Sequence, residues 1–318
     1  MKVRDWTAAA SLCCSFLVPS ASDARLALGD VVLAMEGLGS VRRFDPASGG
    51  TETLSGPQLP PTLAVSPDGS LVGIDGINAV VRIQPDDGTV ETVSSLLRGS
   101  GPWGDTEHRW YYTPADLDVA ADGSIWFSGR TCCLLVVDPL SGDREEMAVG
   151  LDIHMGRLAF ESDSSALLGY LELDPNFGGS YPTRVTEGIQ RFDWAGVPTL
   201  SVIEPLATWW DYAAKGPYGQ NDIAVTPDGR IYASIGGWAG YAPRVVRIDP
   251  VSGLREAISG LGIGGGPDWQ WPTTLFAVSD QTLLVFDHPA AAIVSVDLAT
   301  GDRSVVSGAG VGTGPTLT

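Results

Sequence analysis

The segment Val245-Val246-Arg247-Ile248-Asp249-Pro250 is one of six copies of a phrase in which an apolar stretch leads into Asp and, in most copies, Pro. The other copies occupy residues 41–46, 80–85, 134–139, 189–193 and 293–297. The aspartate or its equivalent falls at positions 45, 84, 138, 193, 249 and 297, so the repeat is about 50 residues long. Short strands that recur at this spacing are typical of a β-propeller.

Each repeat unit has the same internal order of strands and turns. An inner strand such as Leu63-Ala64-Val65 runs into Ser66-Pro67-Asp68-Gly69, where Pro fixes φ and Gly accepts a positive φ. A second strand, the repeated phrase and a fourth strand follow. The pattern predicts an all-β, six-bladed β-propeller of four-stranded antiparallel blades, formed by residues 25–318 as one domain. The inner strand of the first unit must then come from residues 25–28 or from the last few residues.

Composition excludes several classes of partner. Only 18% of the 318 residues are charged, which favours a folded chain, and the formal net charge is −19. Nucleic-acid binding requires basic residues that contact the phosphates, and binding to anionic lipid also requires positive charge on the protein. We therefore expect no nucleic-acid partner and no membrane insertion. We also expect the propeller to be a monomer. An acidic surface is compatible with a bound divalent cation.

The first 24 residues predict an export signal. Lys2 and Arg4 precede an apolar run at 7–18 that is too short to span a bilayer, and small residues follow at 22–24. A signal peptide at 1–24 implies a secreted or periplasmic protein. The mature chain would keep only Cys132 and Cys133, whose Cα atoms lie about 3.8 Å apart, shorter than most disulfides span. They form either two thiols on opposite faces of a strand or a strained vicinal disulfide.

Aromatic residues concentrate in three loops that connect an outer strand to the next inner strand. The loops 102–112, 209–218 and 268–271 contain the candidate ligand-binding residues Trp103, Trp110, Tyr112, Trp209, Trp210, Trp269 and Trp271. In a propeller these loops gather at one mouth of the central channel. Exposed rings beside carboxylates suit a small-molecule, carbohydrate or protein-segment ligand. The alternative is that the rings pack over the loops and cap the channel.

Charged residues recur just before the inner strands. Asp116 and Asp222 occupy the same place in their units, and Arg157 holds it in a third. Two carboxylates near the channel axis can bind a cation or share acid/base work, or they can accept hydrogen bonds from loop amides. His108 is the best candidate among three histidines for a general base or a metal ligand, and the alternative is a solvated loop histidine. The candidate catalytic residues are therefore His108, Asp116 and Asp222, with Arg157 as a ligand-binding residue.

The Pro-Asp-Gly turn, the Ile-Asp-Pro-x-x-Gly third strand and the glycine-rich linker at 258–267 resemble bacterial secreted propellers of the NHL and SMP-30/gluconolactonase-like superfamily. Virginiamycin B lyase-like propellers share these phrases. The resemblance implies a divalent metal, usually calcium, at the channel mouth. Asn221-Asp222 matches the Asn-Asp-Gly segment of that family, so the implied ligands are Asn221 and Asp222, joined by Asp116.

The sequence thus leaves two functions open. The first is a secreted binding or scaffold protein with an aromatic, acidic ligand site at the channel mouth. The alternative is a divalent-metal-dependent lactonase, hydrolase or lyase of the SMP-30/gluconolactonase or virginiamycin B lyase type. The sequence does not decide whether the protein is an enzyme.

Overall fold

The structure is a computed structural model, and it describes residues 31–35, 40–45, 50–55, 63–75, 79–84, 89–102, 114–129, 134–148, 153–173, 185–195, 199–208, 220–236, 242–308 and 311. These residues form the strands β1 to β23. Within the described ranges, no helix is long and apolar enough to cross a membrane.

Every sheet consists of strands that are consecutive in the chain and antiparallel to their neighbours. The first sheet contains β1 (Val31–Met35), β2 (Ser40–Asp45) and β3 (Gly50–Ser55). Blade I contains β4 (Leu63–Val65), β5 (Leu71–Ile74), β6 (Val80–Ile83) and β7 (Val90–Ser94). Blade II contains β8 (Pro114–Val119), β9 (Ile125–Gly129), β10 (Leu134–Val137) and β11 (Arg144–Ala148).

The other three blades follow the same order. Blade III contains β12 (Ile153–Ser162), β13 (Ser165–Leu173), β14 (Val185–Asp193) and β15 (Thr199–Thr208). Blade IV contains β16 (Gln220–Val225), β17 (Ile231–Ile235), β18 (Arg244–Ile248) and β19 (Arg255–Gly260). Blade V contains β20 (Pro272–Ser279), β21 (Thr282–Asp287), β22 (Ala292–Asp297) and β23 (Arg303–Ser307).

The prediction of six four-stranded blades is wrong. The described residues form five four-stranded blades, and the first sheet has only three strands. Each copy of the repeated phrase forms the third strand of a unit. In the first unit this strand forms as β2, although no inner strand pairs with the described part of its sheet. Residues 25–28 and the last few residues, which were expected to supply that strand, lie outside the described residues.

The hydrophobic core lies between neighbouring sheets rather than in one central mass. Ala64 and Val72 of blade I pack with Leu117 and Phe127 of blade II, and similar clusters join each later pair of blades. Phe44 of the first sheet is fully buried against blade V. The packing therefore continues from blade V to the first sheet, and the sheets surround a central channel.

Glycine-rich linkers bind arginines of the following blade. Arg144 donates hydrogen bonds to carbonyl oxygens of residues 94–102, which join blades I and II. Arg303 binds residues 258–267, between blades IV and V, in the same way. A Cβ on Gly266, whose φ is +97°, would lie 1.9 Å from the Arg303 carbonyl oxygen. Only glycine allows the linker to approach so closely.

Candidate functional site

A cavity of about 290 Å³ lies in the central channel. Inner strands β4, β8, β12, β16 and β20 contribute its walls. Its charged lining residues are Asp116, Asp118, Arg157 and Asp222. The described part of the channel is therefore lined by three carboxyl groups and one guanidinium.

β-Bulges interrupt the inner strands where these charged residues begin. The pairing register shifts between Pro114 and Asp116 in β8 and between Gln220 and Asp222 in β16. A bulge adds one residue to a strand and redirects the side chains beside it. The same irregularity precedes Leu158 in β12 and Thr274 in β20. Comparable bulges thus place residues 116, 157, 222 and 274 at equivalent points of the channel wall.

Asp116 joins blade II to blade III. Its Oδ1 accepts a hydrogen bond from the Leu117 N–H at 3.0 Å, and its Oδ2 accepts one from the Leu158 N–H at 3.0 Å. An inner strand has no neighbouring strand on its channel side, so some of its N–H groups need other acceptors. Asp116, which is only 7% exposed, supplies this acceptor across the blade junction.

Asp222 repeats the arrangement between blades IV and V. Its Oδ1 accepts from the Ile223 N–H at 2.9 Å, and its Oδ2 accepts from the Leu275 N–H at 2.8 Å. The Asp222 side chain is as deeply buried as that of Asp116. The interpretation that these aspartates accept hydrogen bonds from neighbouring amides therefore describes both residues.

Arg157 lies on the blade between these two aspartates. Its Nε is 4.0 Å from Asp222 Oδ1, and its charge also acts on Asp116. The guanidinium is partly exposed to the channel, with a quarter of the side chain accessible. Arg157 thus offsets part of the negative charge that blades II and IV contribute.

Burial and mutual repulsion raise the carboxyl pKa values. Burial raises the pKa of Asp222 to about 7, against the opposing effect of Arg157, and Asp116 adds repulsion. Burial also raises the pKa of Asp116, again opposed by Arg157 and by the two backbone hydrogen bonds. Near neutral pH the channel therefore contains carboxyl groups that can gain or lose a proton.

Asp118 is a further channel residue that the sequence reasoning missed. It lies two residues after Asp116 and therefore on the same face of β8. Burial raises its pKa to about 7, and the charges of Asp116 and Asp222 contribute. The equivalent positions of the other blades hold Ala64, Ala159, Ala224 and Phe276. Aligning the repeats could have identified Asp118, because it is the one acidic residue at a position that is apolar in the other blades.

The structure brings together three of the predicted site residues: Asp116, Arg157 and Asp222. Trp269 is buried between blades IV and V, where Arg303 lies 5.8 Å from its ring centroid. The Trp271 N–H donates to Asp287 Oδ1 at 2.6 Å. The remaining candidates lie outside the described residues: Trp103, His108, Trp110, Tyr112, Trp209 and Trp210. Asn221 belongs to β16, but its side chain is outside the description as well.

Of the three predicted metal ligands, the structure describes the side chains of Asp116 and Asp222. In the described ranges, no group of three or more His, Cys, Asp or Glu side chains is placed to hold a metal ion. Both oxygens of Asp116 and Asp222 already accept backbone hydrogen bonds, and Arg157 adds a positive charge beside them. These donors fit a divalent cation poorly.

Comparisons with known proteins identify the fold. No protein-family model matches the chain, and no curated protein matches its sequence. A nidogen/laminin complex matches with a TM-score of 0.59 at 12% identity, over 84% of this chain and 89% of that chain. A gluconolactonase from Xanthomonas campestris matches at 0.54 and 18% identity, over 80% and 78%. A streptogramin B lyase matches at 0.54 and 14% identity, over 96% and 84%.

These similarities are too low in sequence identity to establish more than the fold. They confirm that the chain resembles the gluconolactonase-like and lyase-like propellers, as its repeated phrases predict. They assign no substrate and no site residue to it.

Proposed function

We propose that this protein binds a small organic ligand in its central channel, through a cationic or hydroxyl-rich group of that ligand. The observation that carries the proposal is the cavity lined by Asp116, Asp118, Asp222 and Arg157. Its volume of about 290 Å³ is near the lower end of the range for small-molecule sites. The basic and apolar segment at 1–24 supports export of the binding protein.

The charges of the channel favour a ligand that donates hydrogen bonds. Three carboxyl groups face one guanidinium, so the ionised site carries excess negative charge. A cationic group would stabilise the ionised forms of Asp118 and Asp222, whose pKa values lie at about 7. Carboxylates also accept hydrogen bonds from ligand hydroxyl groups. An anionic ligand would be repelled by the carboxylates of blades II and IV and attracted only by Arg157.

Asp118→Ala is expected to abolish ligand binding without lowering the free energy of unfolding at neutral pH, because it removes a buried carboxyl whose ionised form is unfavourable in the folded state. Three other blades already hold alanine at this position, so the fold accepts the smaller side chain. The measurement is saturation-transfer NMR with two matched fragment sets, amines and polyols against carboxylates. The first set should give signals with the wild type and none with Asp118→Ala.

Ala159→Ser provides a control, because it changes the equivalent position of blade III without adding or removing a charge. It should keep the fragment signals of the wild type. Binding by the carboxylate set alone, or equal binding to wild type and Asp118→Ala, would contradict the proposal.

The alternative function is a metal-dependent lactonase, hydrolase or lyase. Carboxyl groups with pKa values of about 7 beside a cavity suit general acid/base work, which favours this alternative. The implied metal ligands Asn221, Asp222 and Asp116 stay a prediction, and the two described carboxylates are occupied by backbone hydrogen bonds. The binding function therefore comes first.

Calcium titration separates the two functions. We expect 1 mM CaCl₂ or MnCl₂ to change Tm by less than about 1 °C, because the carboxylates are already hydrogen-bonded and lie beside Arg157. Thermal unfolding with and without the ion measures this, with NaCl at the same ionic strength as the control. A rise of several degrees that Asn221→Ala removes would favour the metal-dependent enzyme, and hydrolysis of gluconolactone would then be the assay.

A further inference from the structure

Arginine side chains are bound by two glycine-rich linkers in this fold. Arg303 donates from Nε to the Pro267 carbonyl oxygen at 2.6 Å and from a terminal nitrogen to Ser259 Oγ at 2.9 Å. The same terminal nitrogen donates to the Ile263 carbonyl oxygen at 2.8 Å. A serine hydroxyl and several carbonyls thus form a receptor for one guanidinium.

The linker between blades I and II has the same receptor. Arg144 donates from Nε to the Pro102 carbonyl oxygen at 3.1 Å and from a terminal nitrogen to Ser94 Oγ at 2.6 Å. That nitrogen also donates to the carbonyl oxygens of Ser95 and Arg98 at 3.0 Å. The same arrangement occurs at two separate junctions. It therefore depends on the glycine-rich loop sequence and not on the surroundings of one particular blade.

A third copy of this loop begins at the end of blade V. The sequence at 306–315 repeats that at 258–267. Ser307 pairs with Ile293 of β22 as Ser259 pairs with Val245 of β18. In both cases a bulge lies next to this pair. Gly308 and Val311 exchange backbone hydrogen bonds at 3.1 and 3.2 Å, as Gly260 and Ile263 do. Ser307 is only 4% exposed. The described part of the third loop therefore has the form of the other two.

Among the described residues of the first sheet, no arginine occupies the register position that binds this loop in the other two junctions. Arg303 pairs with Val296, the residue before the aspartate of the repeated phrase, and Arg144 pairs likewise with Val137. In the first sheet the same register position, opposite Phe44, is occupied by Thr51. Phe44 and Val306 belong to one hydrophobic cluster, so the end of β23 lies at the junction at which the arginine is replaced.

We propose that Ser307, Gly308 and Val311 form a binding site for a guanidinium group from outside the chain. Carbonyl oxygens and a serine hydroxyl are the acceptors that the two internal arginines use, and guanidinium is a planar donor with five N–H groups. The net charge of −19 attracts a cationic group to the surface. The guanidinium comes from an arginine side chain of a partner or from free arginine. This site is independent of the channel and of its ligand.

The experiment measures thermal unfolding of the full chain with the peptide Gly-Arg-Gly, with Gly-Lys-Gly and with free L-arginine. Gly-Arg-Gly is expected to raise the Tm of the wild type by about 2 °C or more at saturation, and Gly-Lys-Gly to raise it by much less. An equal effect of free L-arginine would assign the site to the free amino acid, whereas a weaker effect would assign it to a peptide. Ser307→Ala should reduce the shift.

Thr51→Arg tests the site without a ligand. Its guanidinium should reach Ser307 as Arg303 reaches Ser259, which raises Tm and removes the further effect of Gly-Arg-Gly. Thr51→Lys is the matched control, since it adds the charge but not the planar donor. The proposal is wrong if Gly-Arg-Gly and Gly-Lys-Gly act equally on the wild type, or if Thr51→Arg folds and still responds to Gly-Arg-Gly. The wild-type and Ser307→Ala titrations decide the question even if Thr51→Arg does not fold.

Discussion

Arg303→Ala is expected to lower the free energy of unfolding by about 4 kcal/mol, because it removes the donor of several buried hydrogen bonds and each acceptor left unsatisfied costs about 1–3 kcal/mol. The arginine side chain is 7% exposed and ties the linker before blade V to β23. Its removal leaves the carbonyl oxygens of Pro267 and Ile263 without this donor and uncovers the buried ring of Trp269. Urea unfolding followed by tryptophan fluorescence and by circular dichroism measures the change.

Arg247→Ala is the matched control for this variant. Arg247 forms an ion pair with Glu256 at 2.5 Å on the surface, where its side chain is 47% exposed. Such pairs contribute about 0–1 kcal/mol, so the loss should be small. Arg303→Lys separates charge from shape, because lysine keeps the charge but cannot contact the acceptors with a planar fork. If Arg303→Ala were no more harmful than Arg247→Ala, the guanidinium would not be what holds the linker.

Much of the fold was predictable because the signal for each blade is local. The apolar stretch of the repeated phrase favours a strand that is buried on both faces between neighbouring blades, and β18 and β22 form where it occurs. The Pro-Asp-Gly turn is equally local. Gly69 and Gly229 adopt φ values of +83° and +81°, as the turn chemistry predicts.

The number of complete blades was not predictable in this way. An inner strand is defined by pairing with a second strand, and in the first unit the residues before β1 carry no copy of the inner-strand turn. The phrase at 41–46 therefore predicts β2 correctly and gives no information on what pairs with β1. Chain closure depends on contacts between distant segments, such as Phe44 with blade V, that no local pattern encodes.

The candidate site was predictable in part, because the alignment of the repeats is a local signal. Aligning the repeats places Asp116, Arg157 and Asp222 at one level of the channel, and the structure agrees. The backbone N–H groups that donate from the next blade lie 42 residues after Asp116 and 53 residues after Asp222. The sequence therefore could not reveal that both carboxylates accept these hydrogen bonds. The linkers were identified as connections, but their role in binding arginine follows only from the positions of β11 and β23.

The stability of the protein is expected to fall as the pH rises from 5 to 8. The folded-state pKa values of Asp118 and Asp222 are about 7, whereas the ordinary value is 3.8. Between these values the folded protein holds protons that the unfolded chain releases, so stability falls with rising pH. The contribution is complete below pH 3.8 and is lost as the pH passes 7. A shift of about three pKa units corresponds to at most about 4 kcal/mol per group.

The surface aspartates whose pKa values are lowered do not obscure this effect between pH 5 and 8, and Asp116, whose pKa is raised by burial, acts in the same direction. Backbone hydrogen bonds lower the pKa values of Asp138, Asp249 and Asp297, so these groups are ionised in both states above pH 5. The free energy of unfolding, measured in urea at pH 5, 6, 7 and 8, should fall by about 2–4 kcal/mol in total, since partial exposure and mutual coupling reduce the limiting value.

The double variant Asp118→Asn/Asp222→Asn should remove most of this slope, because neither amide titrates, while Asp249→Asn should leave it unchanged. A wild-type stability that rises over the same interval would mean that the channel carboxylates are ionised at pH 5. In that case the channel would carry its full negative charge under mildly acidic conditions, and binding of a cationic ligand would show no gain between pH 6 and 8. The slope therefore tests the electrostatic basis of the proposed channel site before any ligand is known.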